Sequence, residues 1–189
     1  MHSLTNVPFI SLNTAIAITG LSKRTLRRRA AEGVLRTDEG TSRGERARVA
    51  LEDVVPLARL HLKTEDLELI ADADAGSAEA QCDLGLLLLE EGLREDAVPW
   101  FSAAASQNHL EGMHWLGRCY IAGIGVPADE NRGIDWIARA ASYGHVTAKR
   151  MVQYLYDPSR PQLTSAALEA ELDAIEQEVV LSVLEGRPL

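Results

Sequence analysis

Lys23, Arg24, Arg27 and Arg28 lie in one twelve-residue stretch, SKRTLRRRAAEG at 22–33, which holds five of the chain's 19 Lys and Arg residues. Steps of one, three and four between them spread these four side chains across one side of a helix. A row of ammonium and guanidinium groups at that spacing binds polyanions, and the guanidinium fork also matches the edge of a guanine. The whole chain carries a net charge of −9, so the cluster runs against the overall balance. Double-stranded DNA is the partner this chemistry points to first. Other chemistries find little support. The sequence contains no phosphate-binding loop, no Ser-His-Asp or Cys-His constellation and no clustered metal ligands. No catalytic residue, cofactor or metal is expected, and the chain reads as a non-enzyme.

The elements that must position these charges follow from the flanking residues. Ser11 is a plausible N-cap, and Leu12, Ala15, Ile16 and Thr19 give a short helix with an apolar stripe. Gly20 stops it, Ser22 caps a second helix over 23–32, and Gly33 ends that one. A helix, a Gly-containing turn and a Ser-capped basic helix form the pattern of a helix-turn-helix. Leu26 and Ala30 point inward with Leu21, leaving Lys23, Arg24, Arg27 and Arg28 opposite them. Arg29 falls near the inward flank. Two short extended runs, at 34–36 and 48–51, enclose a Gly-rich tip and predict a β-hairpin decorated by Arg43, Arg46 and Arg48. Glu52-Asp53 then opens another helix, with Pro56 in its first turn.

Residues 9–54 resemble the MerR/excisionase-type winged helix-turn-helix. The matching positions are Phe9, Ser11, Ala15 to Ala17, Gly20-Leu21-Ser22, Arg24-Thr25-Leu26, Arg28 and Gly33, then Arg48-Val49 and Glu52-Asp53-Val54. The resemblance implies that Ser22, Lys23, Arg24, Thr25, Arg27 and Arg28 meet the major groove. It implies that Arg43, Arg46 and Arg48, on the wing, meet the backbone or minor groove. The chain departs from the family where an aromatic often follows the Leu-x of the second helix; here Arg29 stands. The hairpin tip also contains Asp38, Glu39 and Glu45.

Charge divides the chain. Residues 1–63 hold 11 basic and 6 acidic side chains for a net of +5, and residues 64–189 hold 8 and 22 for a net of −14. Few aromatics, at 5%, with abundant Ala and Leu favour helices packed through small and aliphatic side chains. Cys82 and Cys119 form no disulfide framework or metal-ligand spacing. The apolar stretch at 12–21 is too short to cross a bilayer and lacks the preceding charge of a secretory signal. A cytoplasmic protein with no membrane association is expected.

The acidic part repeats itself. Leu84-Gly85 falls on Leu116-Gly117 at an offset of 32, and Trp100, Ala104 and His109 fall on Trp136, Ala140 and His145 at an offset of 36. The extra residues lie in the segment from Gly123 to Pro127. A third copy begins after His145 and stops at Asp157-Pro158. The second unit carries Leu116-Gly117, Tyr120, Gly123-Ile124-Gly125-Val126, Asp129, Trp136, Ala140-Ala141 and Gly144-His145. This resembles the Sel-one-like repeat, a relative of the tetratricopeptide repeat, and implies an α-solenoid that offers a surface to a protein partner. Gly85, Gly117, Ala104 and Ala140 are expected where helices approach closely, with Trp100 and Trp136 filling space between layers. His109 and His145 read as parts of a shared turn, and His114 and Cys119 as core.

Pro158 and Pro161 break the solenoid, and Thr164 caps a last helix running to about Glu185. Its stripe of Leu168, Leu172, Ile175, Val179 and Val183 suits a capping helix or a dimerisation helix, and its Glu-rich face reads as solvated. The fold expected is mainly α: a small winged helix-turn-helix with a short β-hairpin at 1–63, an α-solenoid of Sel-one-like repeats at 64–157, and a C-terminal helix at 158–189. The function expected is a DNA-binding transcriptional regulator whose repeats bind an unknown protein partner, with a homodimer as a further possibility. The alternatives are a non-enzymatic scaffold or signalling adaptor in which the winged helix docks protein, and an excisionase-like architectural DNA-binding protein.

Overall fold

The computed structural model describes residues 8–38 and 47–187. Its contacts divide into two compact units, one ending at Leu84 and the other beginning at Gly85.

The first unit opens with strand β1 (Phe9–Ser11), which runs straight into helix α1 (Leu12–Thr19). Ser11 serves both, because its Oγ accepts the Thr14 amide at 3.2 Å and so caps α1. Gly20 ends α1 in the left-handed region at φ 68°, with its N–H on the Ile16 carbonyl. The Oγ of Ser22 then caps helix α2 (Lys23–Ala31) by accepting the Thr25 amide at 3.2 Å. α2 closes on a paired set of bonds: the Gly33 N–H reaches the Ala30 carbonyl and the Val34 N–H the Arg29 carbonyl.

Strands β2 (Thr37–Asp38) and β3 (Arg48–Ala50) pair as a hairpin, with the first strand at 37–38 in the polar stretch that follows the expected run at 34–36. β3 also pairs with β1, so the sheet is antiparallel in the order β1-β3-β2, with Val49 opposite both Ile10 and Thr37. Ile10, Ile18, Leu26, Leu35, Val49, Leu51 and Val54 form the core. Ile18 takes the buried place assigned from the sequence to Ile16, because α1 turns its whole lower side onto β3 and a further short helix, α3 (Leu51–Val54). A 3-10 turn, Val55–Leu57, follows and holds Pro56.

Helix α4 (Thr64–Ala75) packs against β1. Asp74 anchors it, accepting the Ser11 amide on both carboxylate oxygens at 3.0 and 3.1 Å and the Thr14 hydroxyl on Oδ1. Arg48 completes the junction at 2.8 Å from Asp74 Oδ2.

Helix α5 (Ala78–Glu90) crosses the division between units. The second unit continues through α6 (Arg94–Ser106), α7 (Leu110–Ala122), α8 (Glu130–Ser142) and α9 (Val146–Leu155). From α6 to α9 each helix packs on the next, as a solenoid requires. Helix α10 (Ser165–Leu184), capped by Thr164, lies against α7 and α9.

The solenoid depends on close backbone approach. A methyl group on Gly117 would stand 2.6 Å from Ile137 and 2.9 Å from the Gly133 carbonyl; one on Gly133 would stand 2.7 Å from the Gly117 carbonyl. The fully buried side chain beside Gly117 is Ile137, and Phe101 takes the equivalent place against Gly85. Trp100 and Trp136, expected there, are only half-buried, each one residue before the inward position. On α10, Leu168, Leu172 and Val179 are buried as expected, but Val183 is 61% exposed and Ser182 faces inward. The helix period of 3.6 carries the stripe off position 183 after four turns.

Candidate functional site

Along α2, Ser22, Lys23, Arg24, Arg27 and Arg28 are exposed, Thr25 and Ala30 are half-buried, and Leu26 is fully buried. The Ser22 and Thr25 hydroxyls lie 2.9 Å apart. Among the described residues, Lys23, Arg24 and Arg27 make no ion pair, and Arg28 has a long, exposed one with Glu32 at 3.7 Å. Such an exposed i, i+4 pair is worth about 0.3–0.5 kcal/mol and yields readily to a phosphate. The four basic side chains picked from spacing therefore share one open surface. Arg29 is half-buried, and its carbonyl receives the Val34 and Leu35 amides that turn the chain into the wing.

The wing arginines differ among themselves. Arg43 and Arg46 lie outside the described residues. Arg48 is committed internally: besides Asp74, its Nη2 donates to the Phe9 carbonyl at 2.5 Å. Arg36, to which spacing assigns no role, binds Asp53 through Nε and Nη2 and Glu52 through Nη2 at 3.0 Å. The Arg36 guanidinium holds the Asp53 carboxyl below the usual carboxylate range. Arg36 thus fixes the base of the wing. Its partners are 17 and 16 residues away, a separation that spacing rules do not cover.

The repeat unit holds a second set of chemistry-bearing groups. His109 and His145 are helix N-caps: Nδ1 of His109 accepts the Gly112 amide at 3.2 Å, and Nδ1 of His145 the Ala148 amide at 3.1 Å. Each follows a turn in the left-handed region, at Asn108 and at Gly144. Because Nδ1 of His145 accepts, its proton sits on Nε2 and is donated to Glu111 Oε2 at 2.8 Å. That bond holds the Glu111 carboxyl below its ordinary range. His114 is fully buried, stacked on His145 with ring centroids 4.7 Å apart, and burial pushes its pKa down to about 3. Burial likewise pushes the Cys119 thiol up to about 12, so it is inert as a nucleophile at neutral pH.

One turn further along α7, buried Arg118 binds Glu169, Asp173 and Glu176 of α10, with Nη1 on Glu176 at 2.7 Å. These carboxylates belong to the face read from sequence as solvated. Their spacing of four and three was the available signal, since it runs beside the apolar stripe. On the outer face of α8, a groove of about 580 Å³ is lined by Arg132, Asp135, Trp136, Ala138, Arg139 and Ser142. The Arg139 guanidinium lies 4.5 Å over the Trp136 ring and that of Arg132 4.1 Å over Tyr120. No cluster of three or more potential metal ligands occurs among the described residues, and no described helix is long and apolar enough to cross a membrane.

Comparison with known proteins bears on the repeat helices. The chain is similar to a Sel1 repeat protein from Oxalobacter formigenes, known from a crystal structure, at 24% identity over 68% of this chain and 84% of that one, with a TM-score of 0.43. No curated protein matches the chain. The Sel1 repeat model matches residues 78–109 and 110–145, so α5–α6 and α7–α8 are similar to two successive Sel1 repeats, the second match closing on His145.

Proposed function

We propose that this protein is a DNA-binding transcriptional regulator of the MerR/excisionase-like kind, with Sel1 repeats that bind a protein partner. The repeats suggest a protein-interaction module, because stacked helical hairpins present extended surfaces to other chains. The DNA half of the reading is carried by one observation: Lys23, Arg24, Arg27 and Arg28 are all exposed on α2, while Leu26 behind them is fully buried. In this reading α2 enters the major groove, its guanidinium groups meet guanine edges and phosphates, and Ser22 and Thr25 contact the backbone at its N-terminus. Arg43 and Arg46 reach the backbone from the wing, and Arg48 contributes through the edge that Asp74 and Phe9 leave free.

Titrating labelled duplex tests this. The Arg24→Ala/Arg28→Ala variant is expected to lose at least about tenfold in affinity with its helical signal unchanged, since both side chains are exposed. Wild-type affinity should fall steeply with added salt as counterions are released. A flat salt response, or equal feeble binding by both proteins, would favour a scaffold or adaptor role; binding that bends DNA without sequence preference would favour an architectural one.

A second copy is part of the proposal, since two-fold regulators read paired half-sites. The surface assigned to it is the end of α10, where Val180, Leu181, Val183 and Leu184 are half or more exposed. In sedimentation equilibrium, Leu181→Lys should shift the chain toward monomer; an unchanged mass for both would remove this part.

A further inference from the structure

We infer that the groove on α8 is a docking site for an acidic peptide, gripped by Arg132 and Arg139 around Trp136. This deepens the protein-partner half of the proposed function and is independent of DNA binding by α2.

Residues 64–189 hold only 8 basic side chains against 22 acidic ones. Arg118, Arg150, Arg160 and Arg187 are each paired with carboxylates. Arg132 and Arg139, like Arg94 and Lys149, have no such pair among the described residues. Both guanidinium groups lie over aromatic rings, Arg132 over Tyr120 and Arg139 over Trp136. A guanidinium stacked on a ring keeps its N–H edge free and loses little side-chain freedom when that edge takes a carboxylate. The repeat itself does not call for this arrangement. At the offset of 36 that aligns Trp136 with Trp100, the two arginines correspond to Asp96 and Ala103 in the first repeat.

The geometry selects the ligand. Arg132 and Arg139 are two helical turns apart, about 10 Å along the axis. In a peptide of polyproline II conformation, with three residues per turn, two acidic residues three apart share one face and lie about 9 Å apart. The half-buried Trp136 ring lies between them under the Arg139 guanidinium and steadies that group for a carboxylate. Asp135 stands on the same face and repels a continuous run of negative charge. It therefore disfavours a nucleic-acid backbone and favours acids separated by apolar residues. Charge complementarity and spacing converge on a peptide of polyproline II conformation with two separated carboxylates.

The test uses full-length protein and a fluorescein-labelled peptide built around Asp-Leu-Ala-Asp, with an Asn-Leu-Ala-Asn twin and a labelled dT oligonucleotide as comparisons. The Asp peptide should bind wild type at least about fivefold tighter than its twin, and the oligonucleotide more weakly than either. Arg132→Gln/Arg139→Gln should weaken Asp-peptide binding roughly tenfold, as expected for two partly exposed ion pairs. Arg150→Gln, on α9, should bind as wild type does. Should the Gln pair melt at a lower temperature than wild type, Arg132→Lys/Arg139→Lys gives the reading: it must bind the Asp peptide more tightly than the Gln pair. Duplex binding should be unchanged in the Gln pair, so failure here and failure of the DNA reading are separable. Equal binding of both peptides, equal binding by wild type and the Gln pair, or tighter binding of the oligonucleotide overturns the proposal. So does self-association of wild type that the Gln pair abolishes, because the groove then belongs to a second copy.

Discussion

Among single residues, His114 sits in the costliest place. It is fully buried, and neither ring nitrogen has a hydrogen-bond partner among the described residues. Glu111 favours its protonation, whereas burial, His145 and Arg118 oppose it, and the opposing influences win, leaving the pKa at about 3. The unfolded chain takes up this proton near the ordinary value of 6.5, so below that pH the unfolded state binds more protons than the folded one. Stability is undiminished above pH 6.5 and declines as pH falls toward 3, by about 1 kcal/mol per pH unit in that window. His114→Leu should remain within about 1 kcal/mol of wild type at pH 7.5, since it removes an unsatisfied polar group. It should also lose less stability on going to pH 5. Urea unfolding at both pH values measures this; parallel losses in the two proteins would assign the acid sensitivity elsewhere. The recurrence of His109 and His145 was visible as a repeat, but their capping role required seeing Nδ1 within reach of the next helix's amides.

At the scale of elements, what the sequence disclosed was what neighbouring residues decide. Ser11, Ser22 and Thr164 cap the helices assigned to them, and Gly20 and Gly33 end theirs, because each signal acts within four residues. Strand β1 was hidden. Three residues are too few for an alternation pattern, and its partner β3 lies about forty residues on. The α7–α8 contact was half-legible: Gly117 was marked as a close approach, but its counterpart Gly133 was not. Gly117→Ala and Gly133→Ala separate two opposed effects. Alanine gains about 1 kcal/mol in helix propensity, while forcing a methyl group against a backbone carbonyl costs about 1–3 kcal/mol. The clash should win at both positions, lowering the melting temperature of each variant. The double variant should lose less than the sum, because both push the same pair of helices apart. A gain in stability at either position would show that the helices separate freely.

For the molecule as a whole, the sequence reading placed a boundary at Lys63 from the change in charge, whereas the contacts group α4 with the winged module and divide after Leu84. Charge reports what a surface meets, not where a core ends. The deciding residue is Asp74, which is 4% exposed and accepts from Ser11, Thr14 and Arg48. Asp74→Asn should cost the N-terminal unit about 1–3 kcal/mol by leaving these donors poorly matched. All three tryptophans, Trp100, Trp115 and Trp136, lie beyond Leu84. The substitution should therefore move the unfolding transition seen by helical signal and leave the one seen by tryptophan fluorescence in place. A matching shift in both would mean that the two units unfold together. During synthesis the same carboxylate has a further consequence. When the ribosome has made the whole helix-turn-helix and wing, Arg48 and the Ser11 amide still lack their acceptor. The basic module completes its own internal bonding only after the first helix of the acidic part has emerged, so the start of one part of the chain sets the moment at which the other is finished.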